Sequence, residues 1–431
     1  MSLAVKSEPM SVYLELIREQ FPALSDTDDG VARVYFDNPA GTQVPEQVAR
    51  QMADCLLHAN ANIGGYFRTS DLATAIVSDA RQAMADFVNA PSPDEIIFGQ
   101  NMTTITLHVA RSIGRYLQAG DEIIVTQMDH DANIAPWLLL ARDHDLTIRW
   151  LPFNTETYEF DLDLLDNLMN ARTRLICVGG ASNLTGTIND IESICARARA
   201  AGVWTYIDAV QSAPHVVTDV QALDCDFLVC SAYKFFGPHQ GILWGRRSVL
   251  EELEPYRVRP APEELPWSFE SGTQSHEGMA GTMAAVNYFA WVGETMAGAQ
   301  GASGGAVTAR TRAIRTAFEC MFAHEKNLAA RLISGLQSLP GIKVHGITAP
   351  DALDRRVSTV SFAHDRQAPS AIAEALAKRN IFVWSGHNYA LELVRALGIL
   401  DTGGTVRVGA VHYNSVNEVD QLLNALEDVL R

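Results

Sequence analysis

Short apolar stretches alternate with helical patterns through the middle of the chain. Between the apolar stretches, apolar residues recur every three or four positions, which is the spacing of an amphipathic helix. Strands separated by helices are typical of a parallel sheet that is covered on both faces. The stretches that predict strands here are residues 95–99, 122–127, 174–180, 203–208 and 226–231. The pattern therefore predicts an α/β fold with a mainly parallel sheet.

The remainder of the chain has a different pattern. A long helical pattern covers residues 309–339, and further strand and helix patterns follow it up to a closing helix. This order predicts a smaller α+β domain. We expect a large domain at residues 33–291 and a small domain built from residues 1–32 and 292–431. The Gly/Ala/Ser-rich stretch at 293–307 resembles a flexible excursion between the two.

Composition and charge exclude several classes of partner. The chain has 431 residues, of which 47% are hydrophobic and 19% charged, as in ordinary globular proteins. Its formal net charge of −18 repels phosphate backbones and anionic lipids, so we expect no nucleic-acid or membrane partner. The start has no signal-peptide pattern, and no apolar run approaches the length of a membrane span. These features predict a cytoplasmic protein.

The six cysteines show no metal-binding or redox spacing. None forms a CxxC pair, and most lie within apolar strand or helix patterns. Buried thiols in a reducing compartment are the expected state of such residues. We therefore predict no metal site.

Polar residues stand at the ends of the predicted central strands. In open parallel sheets, ligands bind outside the carboxyl ends of the strands. A helix also begins near Thr103, and the free N–H groups of a helix start bind anions. The strand-end residues are His130, Asn183, Asp208, Gln211, Ser231 and Lys234.

This set of groups suits pyridoxal 5'-phosphate (PLP). The cofactor needs a lysine that carries it as a Schiff base, an acidic residue that keeps its pyridine nitrogen protonated, and a phosphate site. Lys234 in "SAYKFFGP" and Asp208 in "IDAVQSAPH" would supply the first two. Desolvation would lower the pKa of the Lys234 ammonium, so that its amine can react.

Several motifs then identify a family resemblance that runs over nearly the whole chain. The chain resembles the class V, fold-type I PLP enzymes, and within them the cysteine-desulfurase-like branch. The resemblance implies a large domain with a mainly parallel, seven-stranded sheet covered by helices, plus a smaller α+β domain. Each motif alone is weak, but their order and joint spacing are specific. Besides the two segments just quoted, they are "YFDNPAGTQVP", "DEIIVTQMDHDANIAPW", "ASNLTGTIND", "FESGTQS" and "VRVGAVHYNSVNEVD".

The resemblance implies a role for each matching residue. Lys234, Asp208 and His130 would be catalytic, with His130 on the face of the cofactor ring. Asn183 and Gln211 would approach its phenolic oxygen. Phosphate contacts would come from Ser231, Thr103 and Tyr233, the last standing where the family usually has a histidine. Thr273 would reach the phosphate of a neighbouring subunit, which implies a homodimer with its sites at the interface.

The resemblance also implies how the substrate is held. Arg407 would grip the α-carboxylate of an amino acid, since a guanidinium binds a carboxylate through two parallel hydrogen bonds. We also expect substrate contacts from Asn183, Asn38, His387 and Tyr389.

One departure from the family bears on the reaction. Family desulfurases attack sulfur with a cysteine on a mobile loop, whereas the matching segment here, "SGHNYALEL", has Tyr389 at or beside that position, and no cysteine follows Cys320. A thiolate is the nucleophile that becomes a persulfide, so we predict no persulfide intermediate. C–S or related Cβ lyase chemistry is the expected activity. A class V aminotransferase and a non-catalytic dimeric relative are the alternatives.

Overall fold

A computed structural model describes residues 10–297 and 307–431 of the chain. Most of the Gly/Ala/Ser-rich stretch, at 298–306, lies outside the described residues. The strands are β1 (Thr27–Asp28), β2 (Val31–Ala32), β3 (Val34–Tyr35), β4 (Ile96–Gly99), β5 (Glu122–Thr126), β6 (Thr147–Leu151), β7 (Thr173–Gly179), β8 (Trp204–Asp208), β9 (Phe227–Ser231), β10 (Gly241–Gly245), β11 (Ile342–His345), β12 (Thr359–His364), β13 (Ile381–Phe382), β14 (Trp384–Gly386) and β15 (Thr405–Gly409).

Helices cover the sheets and connect their strands. The α-helices are α1 (Leu14–Arg18), α2 (Glu46–His58), α3 (Arg68–Val88), α4 (Met102–Tyr116), α5 (Ala135–His144), α6 (Leu162–Leu168), α7 (Ile191–Ala201), α8 (Val220–Leu223), α9 (Arg247–Glu252), α10 (His276–Ala297), α11 (Ala309–Ser338), α12 (Pro369–Ala377), α13 (Leu391–Ala396) and α14 (Val416–Leu430).

The larger sheet has seven strands in the order β4-β10-β9-β8-β7-β5-β6. Strands β9, β8, β7, β5 and β6 are parallel, and β10 runs antiparallel to both β4 and β9. Alternate strand residues face two separate cores, as the period of two in a strand requires. Ile124 and Ile176 pack in one core, whereas Ile123 and Leu175 pack in the other. The predicted α/β fold with a mainly parallel seven-stranded sheet is confirmed.

Two strands of this sheet have no clear signal in the sequence pattern. Strand β6 lies at the edge of the sheet, and its residues are mostly exposed or half-buried, so it lacks the apolar run of a central strand. Strand β10 is buried throughout but short, with a glycine at each end. Helix α10 was also missed, because its buried residues surround the helix and leave only a weak amphipathic pattern.

A second sheet is antiparallel, in the order β11-β12-β15-β14. Its apolar side chains pack against helices α11, α12 and α14, as shown by Phe362, Val408, Leu332, Ile372 and Leu422 in one core. Strand β15 places Arg407 opposite Ser361 on β12 and opposite Trp384 on β14. The division into domains at 33–291 and at 1–32 with 292–431 stays a prediction.

Two further findings concern the cysteines and the helices. All six cysteines are buried, as the sequence predicts. Within residues 10–297 and 307–431, no helix combines the length and the apolar content needed to cross a bilayer.

Candidate active site

A cavity of about 250 Å³ lies beside the carboxyl ends of β7, β8 and β9. The segment that follows β3, the start of α4 and the turn after β14 complete its wall. Most of the residues predicted from the sequence line it together. They are Thr103, His130, Asn183, Asp208, Gln211, Ser231, Tyr233, Lys234, Tyr389 and Arg407.

Lys234 lies on a short 3₁₀ turn, Ala232–Lys234, directly after β9. Its Nζ donates to the carbonyl oxygens of Pro39 at 2.5 Å and Ala40 at 2.9 Å. Burial, and after it the charge of Arg407, lower the pKa of Lys234 to about 7, against the opposing effects of Asp208 and Asp37. A large fraction of the side chain is therefore an uncharged, nucleophilic amine at neutral pH.

Two carboxylates are buried together at the strand ends. Asp208 ends β8 and accepts a hydrogen bond from the Val210 amide at 2.8 Å. Burial raises the pKa of Asp208 to about 6, although that amide and the Lys234 charge both act to lower it. Asp129 follows β5, and burial raises its pKa to about 7. We missed Asp129 in the sequence, where its place at a strand end beside His130 was the available signal.

Three donors, two of them local and one from the end of β7, hold the Asp129 carboxylate. Thr126 Oγ1 donates to Oδ1 at 2.8 Å, the Gly179 amide donates to the same oxygen at 2.9 Å, and Asn133 Nδ2 donates to Oδ2 at 2.7 Å. This bonding ties the end of β5 to the end of β7. The bonds thereby hold the segment that carries His130 beside the carboxyl ends of the parallel strands.

His130 presents a neutral imidazole to the cavity. Its Nδ1 accepts from the Ala132 amide at 3.0 Å, so that nitrogen carries no proton. Burial lowers the pKa of His130 to about 3, helped by the charges of Lys234 and Arg407. The ring stacks on that of Tyr389, with centroids 5.2 Å apart and planes 22° apart.

Arg407 brings a buried cation from the second sheet. Its side chain is 4% exposed, and Nη1 donates to the Asn183 carbonyl oxygen at 3.0 Å. Its Nε has no partner among the described residues. Burial lowers the pKa of Arg407 to about 10, with Asp37 opposing. The guanidinium therefore stays charged at neutral pH.

The start of α4 and the end of β9 meet at one corner of the cavity. Ser231 Oγ accepts from the Met102 amide at 2.9 Å, and Asn101 Oδ1 caps the Thr104 amide at 2.9 Å. Thr103 lies exposed between these two amides, in the first turn of α4. Tyr233 adds a phenol to the same cavity. A helix start of this kind favours an anionic group such as a phosphate.

Two amide side chains complete the wall. Gln211 Nε2 donates to Thr359 Oγ1 at 2.8 Å, which joins the two sheets. Asn183 Nδ2 donates to the Asn388 carbonyl oxygen at 2.7 Å. The Oδ1 atoms of Asn183 and Asn388 are buried and find no partner in the part of the chain that the structure describes.

Three predicted residues lie outside this cavity wall: Thr273, His387 and Asn38, of which the first two are exposed. Thr273 is exposed and lines a separate depression next to Trp267 and Glu270, so its predicted reach into a neighbouring subunit stays a prediction. His387 is exposed on the turn beside Tyr389. Its Nδ1 accepts a hydrogen bond from the Tyr389 amide at 3.0 Å. Neither residue contributes to the cavity of its own chain.

Asn38 requires a correction. Its Nδ2 donates to the carbonyl oxygens of Tyr35 and Gly409 and to Asn414 Oδ1, at 3.0, 2.7 and 3.2 Å. Its Oδ1 accepts from the Tyr413 hydroxyl. Because the whole amide is occupied within the protein, the structure does not support Asn38 as a substrate contact.

The cavity fits PLP in charge and in hydrogen bonding. It combines an amine with lowered pKa, a carboxylate at a strand end, an anion-binding helix start and a neutral imidazole. The unpaired Arg407 Nε and Asn183 Oδ1 would need partners, because buried polar groups are nearly always hydrogen-bonded.

Comparison with known proteins agrees with this chemistry. Residues 34–303 and 305–422 match the model of the family described as aminotransferase class-V. The chain belongs to this family. Members of the family use PLP, and the chain is a PLP-dependent class V enzyme that acts on amino-acid substrates. These findings confirm three predictions: the family resemblance seen in the motifs, PLP as the cofactor, and the enzyme class.

Several relatives match this class V chain over nearly its whole length. A cysteine desulfurase from Serratia proteamaculans is 31% identical, over 97% of this chain and 99% of the relative. The aminotransferase-like protein FGM3 from Gibberella zeae is 33% identical, over 97% and 99%. The crystal structure of the cysteine desulfurase CsdA from Escherichia coli, in an S-sulfonic acid form, has a TM-score of 0.81 at 29% identity, over 97% of this chain and 98% of that one.

Proposed function

We propose that the protein is a PLP-dependent lyase that removes a substituent from Cβ of an α-amino acid, at a C–S or related bond, without forming a persulfide on the protein. The observation that carries this proposal is the turn after β14. It places Tyr389 against His130, on the wall of the same cavity as Lys234.

The cysteines support a route that does not use a thiol. None of the six lines the cavity, and all are buried within the described structure. Burial raises the pKa of Cys177 and Cys230, which lie on strands of the large sheet, far above neutral pH. Burial also raises the pKa of Cys195 to about 12. A persulfide requires a reactive thiolate that reaches the substrate sulfur, whereas Cys177, Cys195 and Cys230 are buried outside the cavity wall and their raised pKa keeps them protonated.

The roles of the chain's own residues follow from their chemistry. Bound PLP supplies an electron sink for a carbanion at the substrate Cα. Lys234 would bond to the cofactor and, as a free amine, move the proton at Cα. Asp208 would hold the proton on the ring nitrogen. Arg407 would orient the α-carboxylate, and the corner at Ser231 and Thr103 would bind the phosphate.

The decisive experiment joins product analysis with persulfide trapping. The purified protein is incubated with cysteine or cysteine sulfinate, products are identified by mass spectrometry, and thiols are alkylated to capture persulfides. We expect an elimination product from cysteine and no persulfide with either compound. The variant Tyr389→Cys introduces a thiol at this turn. Its control, Tyr389→Phe, keeps the ring and adds no thiol. A persulfide that forms on the unmodified protein at the rate of turnover would overturn the proposal.

A class V aminotransferase is the second candidate, favoured by the 33% identity to the aminotransferase-like protein of Gibberella zeae. Transamination and the lyase reaction both begin with loss of the Cα proton. Lys234, Asp208 and Arg407 would therefore have the same roles in either. Adding a 2-oxo acid separates the two. An aminotransferase transfers nitrogen to the acceptor in proportion to substrate consumed, whereas the lyase releases ammonia whether or not the acceptor is present.

We also propose that two copies form a homodimer. Four large apolar side chains, on α2 and just before α3, are exposed: Leu56 at 50%, Leu57 at 73%, Tyr66 at 106% and Phe67 at 56%. Exposed apolar patches of this kind mark interaction surfaces. Thr273, which lies outside the cavity of its own chain, would then serve the site of its partner.

A further inference from the structure

The turn that carries Tyr389 is held rigidly against the large sheet. Asn388 and Tyr389 both have positive φ, at 48° and 58°, so two left-handed residues follow each other. Asn183 Nδ2 donates to the Asn388 carbonyl oxygen at 2.7 Å, and the Asp131 amide donates to the Tyr389 carbonyl oxygen at 2.7 Å. These two bonds link the turn to the segments that follow β5 and β7. The backbone of Asn388 is therefore held in one place at the cavity wall.

The orientation of the Asn388 amide follows from its surroundings. Nδ2 donates to the Gly386 carbonyl oxygen at 3.1 Å. The reverse orientation would set an amide oxygen against that carbonyl oxygen, and two acceptors repel each other. Oδ1 therefore lies on the other side of the amide. It is buried without a partner among the described residues, in a side chain that is 7% exposed and lines the cavity.

The Asn183 amide is fixed in the same way. Because its Nδ2 is bound to the Asn388 carbonyl oxygen, its Oδ1 is also a buried acceptor without a partner in the described chain, on the same cavity wall. A buried acceptor that stays unpaired is costly. This wall therefore favours a ligand that brings hydrogen-bond donors.

The charges near the turn also favour a ligand that brings hydrogen-bond donors. Asp131 directly follows His130, and burial together with the nearby Glu392 raises the pKa of its carboxyl group. The cations of the cavity, Lys234 and Arg407, already have roles in the proposed function. No cation remains in the described cavity wall to pair with an anionic side chain of a substrate.

We propose that Asn388 is the specificity-determining residue of the substrate side-chain subsite, where its Oδ1 accepts a hydrogen bond from the substrate. The substrate would then be an α-amino acid whose side chain ends in a hydrogen-bond donor, such as a thiol, hydroxyl or amide, and not in a carboxylate or sulfinate. This inference rests on the proposed function and names the substrate class of the same site.

The test compares binding in the unmodified protein and in two variants of Asn388. Dissociation constants are measured with the PLP-loaded protein from the change in cofactor absorbance. The panel pairs donors (serine, cysteine) with a side chain that makes no hydrogen bond (alanine) and with anions (aspartate, cysteine sulfinate). Asn388→Gly removes the acceptor, and glycine adopts positive φ without strain. Asn388→Asp keeps an acceptor of the same shape but loses the Nδ2 donor to the Gly386 carbonyl oxygen, so the comparison of the two variants separates the acceptor of this amide from its donor.

We expect the unmodified protein to bind serine and cysteine about tenfold or more tightly than alanine, and the anions most weakly. In Asn388→Gly this preference should fall to about onefold to threefold, whereas Asn388→Asp should keep it. An unchanged preference in Asn388→Gly, or tighter binding of cysteine sulfinate by the unmodified protein, would overturn the inference while leaving the proposed function standing. If no amino acid of the panel changed the absorbance, the proposed function would fail first, and the inference with it.

Discussion

The ammonium nitrogen of Lys234 lies 2.5 Å from the carbonyl oxygen of Pro39. The two residues are 195 positions apart in the chain, and the second carbonyl contact, to Ala40, lies in the same segment. The two carbonyls hold the amine within the cavity. Burial is the largest cause of its lowered pKa, which is about 7. This residue is thus prepared to react at neutral pH before any ligand arrives.

The first prediction concerns the pH dependence of cofactor attachment. Only the unprotonated amine reacts with the aldehyde of PLP, so the initial rate should rise with pH, with a midpoint near 7, and reach a plateau above it. The rate at pH 6 should be about one tenth of the rate at pH 8, by the fraction of unprotonated amine. Hydride reduction followed by peptide mass spectrometry measures the attachment. Lys234→Ala should give no adduct, and a reducible lysine adduct in that variant would refute the assignment.

The second prediction uses Arg407 to shift that profile. Its positive charge is the second cause, after burial, of the lowered pKa of Lys234. Arg407→Gln removes the charge, so the pKa of Lys234 should rise and the midpoint of attachment should move to higher pH. Arg142→Gln is a matched control, since Arg142 is exposed and pairs with Asp143 at the surface. A profile that stays in place in Arg407→Gln would show that burial alone sets the reactivity of the amine.

The third prediction concerns Asp208. An amide cannot hold the ring nitrogen protonated as a carboxylate does, so Asp208→Asn should still bind PLP but turn over about 10²-fold to 10⁴-fold more slowly. Single-turnover rates and the absorbance of the bound cofactor separate binding from chemistry. Asp190→Asn is the control, because Asp190 only caps α7. Turnover near that of the unmodified protein would remove Asp208 from this role.

The fourth prediction concerns stability. Arg81 and Glu270 form a buried pair of two parallel hydrogen bonds at 2.8 Å each, and Glu270 also accepts from the Phe98 amide at 2.8 Å. Glu270→Ala leaves the Arg81 charge buried alone, so the free energy of unfolding should fall by about 3–5 kcal/mol. The exposed pair of Arg50 and Glu46 provides the comparison. Glu46→Ala should cost less than about 1 kcal/mol in the same denaturant titration.

The fifth prediction concerns assembly. The PLP-loaded protein should sediment as a homodimer, and Phe67→Asp should weaken the dimer by placing a charge in its apolar contact. Thr273→Ala should lower the affinity for PLP without changing the sedimentation. Leu139→Asp, at an exposed site on α5, controls for the added charge. A monomer with full activity at high dilution would contradict the prediction.

Much of the fold and of the site chemistry was determined by the sequence alone. Central strands are buried on both faces, so their apolar runs were visible, and the polar residues that end them, Asp208, Ser231 and Lys234 among them, had to meet at one edge of a parallel sheet. Apolar runs did not reveal strand β6, because an edge strand is only partly buried. Asp129 does lie shortly after a strand end, but its bond from the Gly179 amide, 50 positions away, is visible only in the tertiary structure.

Only the tertiary structure decided how distant segments combine at this edge. Asn183 and Asn388 meet across 205 positions, and Arg407 reaches the Asn183 carbonyl across 224. Asn38 belongs to a motif of the family, yet its amide is occupied by Tyr35, Gly409 and Asn414. Local spacing predicts helices and strands because their hydrogen bonds join near neighbours. The partner of a buried polar atom depends instead on how two sheets pack together, and that packing is not encoded in any short stretch of the chain.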